Sequence, residues 1–382
     1  MAMKLPHGQH LAYCTNVHPA ESWAETMAVL RTEVLAVREK VSPVEPFAIG
    51  LRLSARAAEE LLADSAAPLL KFRGWLADHN CYVFTINGFP YGSFHHTRVK
   101  EEVYRPDWTS AERLIYTNRL FVILSELCPR DTGGSVSTLP GSFKEFEANE
   151  DALFMHLYTC ARFIEELAKD CEKDLHLGLE PEPLGHFENT EETIGFFNRF
   201  SNWAEARGFP PERIYRYLGV NYDTCHFALE FDEPVESLQA LTDAGLRISK
   251  IHLSNALSFD PQNPADQEAL QTFDEPTYLH QVILKTEPLT RFKDLPDYLS
   301  DLETIAAEGR VHFHIPLYAS PLDPLASTSS HADATLTHLR EHPDLCRHLE
   351  IETYTWNVLP DDLQVPLTEQ IIREYQWVLE RS

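Results

Sequence analysis

The fold is decided by three stretches that read His176-Leu-Gly-Leu-Glu180-Pro-Glu182, Gly219-Val-Asn-Tyr-Asp223-Thr-Cys-His226 and Lys250-Ile-His252-Leu-Ser-Asn255. Each alternates apolar and polar residues and carries an acid or a histidine at or near its carboxyl end. Helical, amphipathic segments lie between such stretches. This alternation predicts parallel strands with helices packed outside them.

The same rhythm extends over the whole chain, with about 30–45 residues between most strands. An eight-stranded (β/α)8 TIM barrel with long loop insertions accounts for it. Nine strands are predicted, one more than a barrel needs, so either Ser135–Leu139 is a loop or one of the last three belongs to an insertion. The predicted strands are Leu11–Val17, Phe47–Leu53, Tyr82–Ile86, Ser135–Leu139, His176–Glu180, Tyr217–Asp223, Ile248–Leu253, Val311–Leu317 and Leu349–Tyr354.

Two irregular segments interrupt the pattern, Gly88–Trp108 and the Pro-rich, polar stretch Ser258–Phe292, and the second has the character of an insertion. No GxGxxG fingerprint opens the chain, which argues against a dinucleotide-binding sheet. No linker separates two halves. We therefore expect residues 1–382 to form one domain.

The composition of the chain indicates which classes of binding partner to expect. The chain has 32 basic and 59 acidic residues, a net charge of −27, which disfavours nucleic acid and anionic membranes and leaves a small molecule as the expected partner. The sequence contains no uninterrupted run of 18 apolar residues, so it predicts no transmembrane helix. Seven scattered cysteines without a CxxC pair indicate reduced thiols and a cytoplasmic protein. Barrels of this size commonly dimerise, so a homodimer is one expected oligomeric state.

Acids and histidines accumulate where strands end, and barrel active sites lie at the carboxyl ends of strands. Ionised groups there are costly to bury unless they are paired or bound to a cation. The convergence predicts a divalent metal ion, Mn, Zn, Co, Fe or Mg. The pairs His312/His314 and Glu350/Glu352 each share a strand face, and in each the second residue is nearer the rim. The expected ligands are Glu180, Asp223, His252, Glu352 and His314.

Other side chains are candidates for contact with a substrate. Aromatic residues such as Phe89, Tyr104 and Tyr354 lie in predicted loops and could wall a pocket that stacks on a sugar or cyclic ring, or could equally pack as a loop core. The substrate-binding candidates are His226, His95, Arg105, Trp108, Lys250 and Trp356.

The order Glu180, Asp223-x-x-His226, His252, Glu352 on successive late strands resembles the xylose isomerase-like barrel superfamily of sugar isomerases, ketose 3-epimerases, inosose dehydratases and endonuclease-four-type nucleases. More narrowly, the chain looks like the metabolite traffic protein EboE branch. That match rests on the segments Asn87-Gly-Phe-Pro-Tyr-Gly-Ser-Phe-His95, Val103-Tyr-Arg-Pro-Asp-Trp108 and Glu352-Thr-Tyr-Thr-Trp-Asn-Val-Leu-Pro360. The branch implies a fold but no substrate.

The resemblance implies roles residue by residue. The epimerase pattern makes Glu180, Asp223, His252 and Glu352 ligands of one metal, with His226 beside them on the substrate. The nuclease pattern would instead use His226 and a second histidine, such as His314, for further metals. Nucleases carry Asp-x-His after the seventh strand, whereas this chain has His312-Phe-His314 about 60 residues later. A one- or two-metal site is therefore expected, and not a trinuclear cluster.

The leading hypothesis is a metal-dependent isomerase, epimerase or lyase for a small polyhydroxylated or hydroxy-carbonyl metabolite. Glu180 and Glu352 would transfer protons, with His226 on a substrate oxygen, and a hydride shift stays open. One alternative is a non-catalytic, metal-containing protein that binds or carries a metabolite. A metal-dependent phosphodiesterase or nuclease is less favoured because of the negative charge.

Overall fold

The computed structural model describes residues 4–93, 100–301, 305–319, 323–355, 359 and 365–382. Its strands, in chain order, are β1 His10–Tyr13, β2 Phe47–Arg52, β3 Cys81–Asn87, β4 Gly134–Thr138, β5 Leu175–Leu179, β6 Leu218–Asp223, β7 Arg247–Leu253, β8 Asn255–Phe259, β9 Val282–Leu284, β10 Thr290–Phe292, β11 Gly309–Ile315, β12 Ala326–Ser327 and β13 His348–Ile351.

The helices connect and cover these strands. In chain order they are α1 Trp23–Val29, α2 Leu35–Val41, α3 Ala55–Asp78, α4 Ala111–Leu127, α5 Glu150–Cys171, α6 Thr190–Ala206, α7 Glu212–Tyr217, α8 Thr224–Leu229, α9 Pro234–Asp243, α10 Pro264–Leu270, α11 Leu295–Leu299, α12 Ser329–Glu341 and α13 Leu367–Leu379. Among the described residues, no helix combines the length and apolar character that a membrane crossing needs.

Eight parallel strands form the barrel in the order β1-β13-β7-β6-β5-β4-β3-β2. The two ends of this sheet meet where Cys14, just after β1, bridges Gly50 of β2 in parallel. The predicted (β/α)8 barrel is confirmed. The predicted strand Ser135–Leu139 belongs to the barrel as β4, since it pairs with β3 and β5.

The eighth of the nine predicted strands, Val311–Leu317, lies outside the barrel. It corresponds to β11, which is the centre of a five-stranded sheet in the order β10-β9-β11-β8-β12, with antiparallel pairing throughout. This sheet is inserted between barrel strands β7 and β13. It contains the predicted insertion Ser258–Phe292 and extends beyond it at both ends. A buried antiparallel strand and a buried barrel strand have the same apolar character, so the sequence could not separate them.

The interior of the barrel contains a group of buried polar side chains that bond to one another. Ser135 on β4 bonds both Thr85 Oγ1 (2.9 Å) and His348 Nδ1 on β13 (2.9 Å). β4 and β13 are not neighbours in the sheet, so this contact crosses the barrel. Lys250 Nζ donates to Ser137 Oγ at 3.1 Å. Buried polar groups need such partners, because an unpaired one forfeits its hydration without compensation.

The seam between β1 and β2 depends on a glycine. A Cβ added at Gly50 would lie 2.0 Å from Glu350 Oε1 and 2.4 Å from the Tyr13 carbonyl oxygen. Both are far inside van der Waals contact. The absence of a side chain at Gly50 therefore allows the barrel to close around the Glu350 carboxylate.

We predict that Gly50→Ala lowers the free energy of unfolding by at least about 2 kcal/mol, because backbone and a buried carboxylate must both move. Gly74→Ala in α3 is the matched control. No atom lies within 4 Å of its added Cβ, so it should raise stability by about 0.5–1 kcal/mol. Urea unfolding measures both. Equal effects of the two substitutions would contradict the proposed seam.

Candidate active site

Four ligand-type side chains meet at the carboxyl ends of four consecutive barrel strands. Glu180 follows β5, Asp223 ends β6, His252 lies near the end of β7 and Glu352 follows β13. The sheet order places these strands side by side. One ligand atom from each side chain lies within 4.8 Å of all the others, and all four residues are buried.

His252 Nδ1 lies at the centre of this group. It is 2.7 Å from Glu180 Oε1, 3.1 Å from Glu352 Oε2 and 3.7 Å from Asp223 Oδ2. Asp223 Oδ2 is buried and has no hydrogen-bond partner. A carboxylate oxygen buried in this way needs a cation or a donor, so the donor set fits a divalent metal ion.

Neighbouring donors fix the carboxylates. Asp223 Oδ1 accepts from the Cys225 N–H at 2.7 Å, in the first turn of α8, and from Ser254 Oγ at 2.7 Å. Glu352 Oε1 accepts from Asn16 Nδ2 at 2.8 Å and from Asn87 Nδ2 at 3.0 Å. These bonds occupy one oxygen of each carboxylate. The other oxygen of each faces His252 Nδ1.

A buried ion pair orients the imidazole from behind. Glu350 Oε2 accepts from Lys250 Nζ at 2.5 Å and contacts His252 Nε2 at 2.9 Å. Burial opposes a charge on Glu350, but the Lys250 ammonium outweighs it and lowers the pKa of Glu350 to about 2. A carboxylate there favours a proton on Nε2 and leaves Nδ1 directed at the acids, as in metal sites whose histidine is held by a carboxylate.

The pKa of His252 is shifted in the opposite direction from that of an ordinary buried histidine. Burial alone would lower its pKa, but Glu180 and Glu352 outweigh burial and raise the pKa of His252 well above its usual value. Burial would raise the pKa of Asp223, yet the histidines around it hold that pKa well below its usual value. The group is thus organised around positive charge at its centre.

Three further histidines lie beside this group. His226 Nε2, in α8, is 3.2 Å from His314 Nε2 and 3.2 Å from His312 Nε2, both on β11. Burial lowers the pKa of His312 and of His314. Burial also opposes a charge on His226, but the carboxylates of Asp223 and Glu182 outweigh it and raise its pKa to about 9.

A cavity opens beside both groups. Glu352, Glu182 and His312 reach its surface, and the inserted segment supplies part of its wall. Burial raises the pKa of Glu182 well above its usual range. The lining residues are Asn16, Phe89, Pro90, Lys100, Val103, Tyr104, Glu182, Pro183, Tyr278, Leu279, His312, Glu352 and Tyr354.

The structure places several predicted substrate residues away from this cavity. Trp108 is fully buried and its indole N–H donates to Thr138 Oγ1 at 3.0 Å, so it belongs to the core. Arg105 pairs with Glu102 and stacks on Phe146. Lys250 is fully buried in an ion pair with Glu350 and does not line the cavity.

The remaining predicted substrate residues are also accounted for. His226 is not among the lining residues, because its Nδ1 contacts the Pro181 carbonyl oxygen at 2.7 Å and its Nε2 faces two imidazoles. His95 and Trp356 lie outside the described residues.

Two site residues escaped the sequence analysis, Asn16 and Asn87, which hold Glu352. Asn87 is the last residue of β3 and Asn16 follows β1 by three residues. Both therefore lie at the carboxyl ends of strands, like the acids and histidines of the site. An amide is not an expected metal ligand, so the pattern of ligand-type residues does not indicate these two asparagines, although amides are good donors to a carboxylate.

Comparison with solved structures shows the fold. The probable 3-DHS dehydratase AsbF from Bacillus anthracis, involved in petrobactin synthesis, matches with 12% identity over 97% of this chain and 99% of its own, at a TM-score of 0.50. The IolI protein with a binding zinc atom matches with 13% identity over 97% and 99%, at a TM-score of 0.50.

These likenesses show the (β/α)8 barrel fold. No protein-family model and no curated protein sequence matches the chain. The narrower resemblance to the EboE branch stays a prediction.

We predict that Lys250→Met and Glu350→Gln each lower the free energy of unfolding by about 3–5 kcal/mol, because each leaves one buried charge uncompensated. The double variant should recover most of that loss, since it removes both charges. Urea unfolding of the four proteins measures the coupling. Arg56→Met, which breaks the exposed pair with Glu60, should change stability little. Additive effects of Lys250→Met and Glu350→Gln would contradict the orienting ion pair.

Proposed function

We propose that this chain is a divalent-metal-dependent isomerase, epimerase or lyase that acts on a small polyhydroxylated or hydroxy-carbonyl metabolite by proton transfer. The observation that carries the proposal is the convergence of Glu180, Asp223, His252 and Glu352 around an unpartnered carboxylate oxygen, next to a cavity that Glu352 reaches. The IolI protein, which has the same fold, was solved with a bound zinc atom, and this supports metal binding by a barrel of this kind.

Four residues would hold the ion: Glu180, Asp223, His252 and Glu352. Their mixed carboxylate and imidazole donors suit Mn, Zn, Co or Fe, and Mg if waters complete its shell. When bound, such an ion polarises a carbonyl and so makes the neighbouring C–H more acidic.

The chain's own residues position the substrate and move the proton. Phe89, Tyr104 and Tyr354 give the cavity aromatic walls on which the apolar face of a sugar ring packs. Glu352 lines the cavity and its carboxylate is fixed by two amides at Oε1, so we assign proton removal to Glu352. Glu180 is assigned to return of the proton; it does not line the cavity, and the experiment below distinguishes this role from metal binding alone.

The nature of the cavity disfavours a nuclease. Lys100 is the only Lys or Arg among the lining residues that the structure describes, and it pairs with Asp294. A phosphodiester backbone needs a basic groove, and the net charge of −27 adds repulsion. A metabolite carrier without turnover keeps the same metal and cavity, so it is separated from an enzyme only by measuring turnover.

We expect protein reconstituted with Mn²⁺ or Zn²⁺ to exchange the C–H proton next to a carbonyl with D₂O in a panel of ketoses and inososes, as followed by NMR. Glu352→Gln should lose at least about 100-fold in this rate, because amides do not accept protons. Glu180→Gln should lose a similar factor if it transfers a proton, and should lose metal content if it is a ligand. The matched control is Glu230→Gln, a buried glutamate that pairs with Arg291 away from the cavity.

The outcomes separate the hypotheses. Full activity in both Glu180→Gln and Glu352→Gln would contradict proton transfer by these residues. Product formation without solvent exchange would indicate a hydride shift. Tight retention of a co-purified small molecule, detected by mass spectrometry, with no turnover on any substrate would indicate the carrier alternative.

A further inference from the structure

The amino end of the barrel carries a cavity of its own, at the opposite end from the candidate active site. We call it the amino-end cavity. Its wall is formed where four barrel strands begin: Gly133 precedes β4, Asp174 precedes β5, Arg247 begins β7 and His348 begins β13. Active sites of this fold lie at the carboxyl ends of the strands, so a ligand bound at the amino end would occupy a separate site.

Arginine side chains are concentrated around this cavity, although the chain as a whole has 32 basic and 59 acidic residues. The lining arginines are Arg130, Arg216, Arg247 and Arg347, and the lining aspartates are Asp131, Asp174 and Asp344. Arg130 pairs with Glu172 in an exposed contact, so the arginines that remain for a ligand are the other three. The cavity thus departs from the acidic character of the protein.

One carboxylate holds two of these arginines side by side. Arg247 donates from two nitrogens to the two oxygens of Asp174, in one case at 3.1 Å, and a nitrogen of Arg216 lies 3.2 Å from the same carboxylate. One negative charge between two guanidinium groups leaves one positive charge uncompensated. A guanidinium has five N–H donors, so both arginines keep donors for another acceptor. Asp174 therefore orients the two side chains without saturating them.

A buried histidine with an unpaired nitrogen also lines this cavity. His176 is only 3% exposed, and its Nδ1 atom is buried without a hydrogen-bond partner. Its ring stacks on that of His348, with 5.3 Å between the ring centroids. Both nitrogens of His348 are bonded, to Ser135 Oγ at 2.9 Å and to the Thr132 carbonyl oxygen at 3.1 Å. Buried polar groups normally have partners, so the His176 ring lacks one that a ligand in the cavity could supply.

The electrostatic potential at these two histidines favours an anion. Burial lowers the pKa of His176 well below its usual value, and the positive charges of Arg247 and Arg216 lower it further. Burial and nearby positive charges likewise lower the pKa of His348 to about 3. Both rings are therefore neutral at pH 7. A cation would be repelled from this place, whereas an anion would gain from the same charges that suppress protonation of the imidazoles.

We propose that the amino-end cavity binds a phosphate group, either as the free ion or as a phosphate ester, held by Arg216, Arg247 and the ring of His176. The planar donor forks of arginine match the oxygens of a phosphate, which carries more acceptor oxygens and more charge than a carboxylate. The inference does not rest on the proposed function, since it uses no residue of that site.

Titration with inorganic phosphate tests this site. Isothermal titration calorimetry of the full chain, at constant ionic strength, measures the affinity and the stoichiometry. A parallel titration with glucose 6-phosphate distinguishes a phosphate ester from the free ion. A metal ion at the carboxyl end of the barrel could also take phosphate, so both titrations are repeated after treatment with EDTA. We expect one phosphate per chain that chelation does not remove.

Three variants locate the binding. Arg247→Gln should weaken it at least about 10-fold, because charge-assisted contacts are lost. His176→Phe keeps a ring of similar size without nitrogens and should weaken it at least about 3-fold. The matched control is Arg213→Gln, which removes another partly buried arginine that pairs with Glu165 and does not line the cavity, so it should bind phosphate normally. Circular dichroism verifies each fold, and Arg216→Gln replaces Arg247→Gln if the latter does not fold.

The possible results have different consequences. Weaker binding in Arg247→Gln and His176→Phe, with normal binding in Arg213→Gln, supports the site, and binding of the ester alone supports it with an ester as the ligand. Equal affinities in all variants overturn it, as does equal weakening in Arg213→Gln or the lack of any binding with a Kd below about 1 mM. Phosphate that is lost on chelation and unaffected by Arg247→Gln overturns the amino-end site but supports a metal at the other end, so the two proposals fail independently.

Discussion

Buried negative charge at one end of the barrel is the constraint on which the rest of the site depends. Glu180, Asp223 and Glu352 are each at most 6% exposed, and among the described residues none of them pairs with a Lys or Arg. Burying one uncompensated carboxylate already costs several kcal/mol, so three at one place need positive charge at their centre. His252 supplies an imidazole there, and the same position suits a divalent ion.

The polar interior of the barrel follows from that constraint. A histidine that faces three buried carboxylates needs a fixed ring, and Glu350 fixes the ring of His252 through Nε2. Glu350 is itself buried, so it needs Lys250, and Lys250 in turn needs Ser137. Each of these residues provides the buried polar partner that its neighbour nearer the rim requires. Hydrocarbon side chains, which fill the interior of most small barrels, could not transmit this orientation.

The insertion between β7 and β13 forms part of the cavity wall. Tyr278, Leu279 and His312 come from this insertion and line the cavity together with barrel residues. The long connection between β7 and β13 thus covers the rim and contributes imidazoles to it. Loops at the carboxyl ends of barrel strands set specificity in this fold, because the barrel itself fixes only where the strands end.

The sequence by itself determined the strand–helix rhythm, the barrel and the positions Glu180, Asp223, His252 and Glu352, because strand periodicity places side chains on a face and strand ends on a common rim. Only the tertiary structure decided that Ser135–Leu139 is a barrel strand and Val311–Leu317 is not, because pairing partners lie far away in the chain. It also decided that Lys250 orients His252 and that Trp108 is core. Local pattern specifies which residues are buried, whereas the partner of a buried charge is set by strands that meet only in the folded chain.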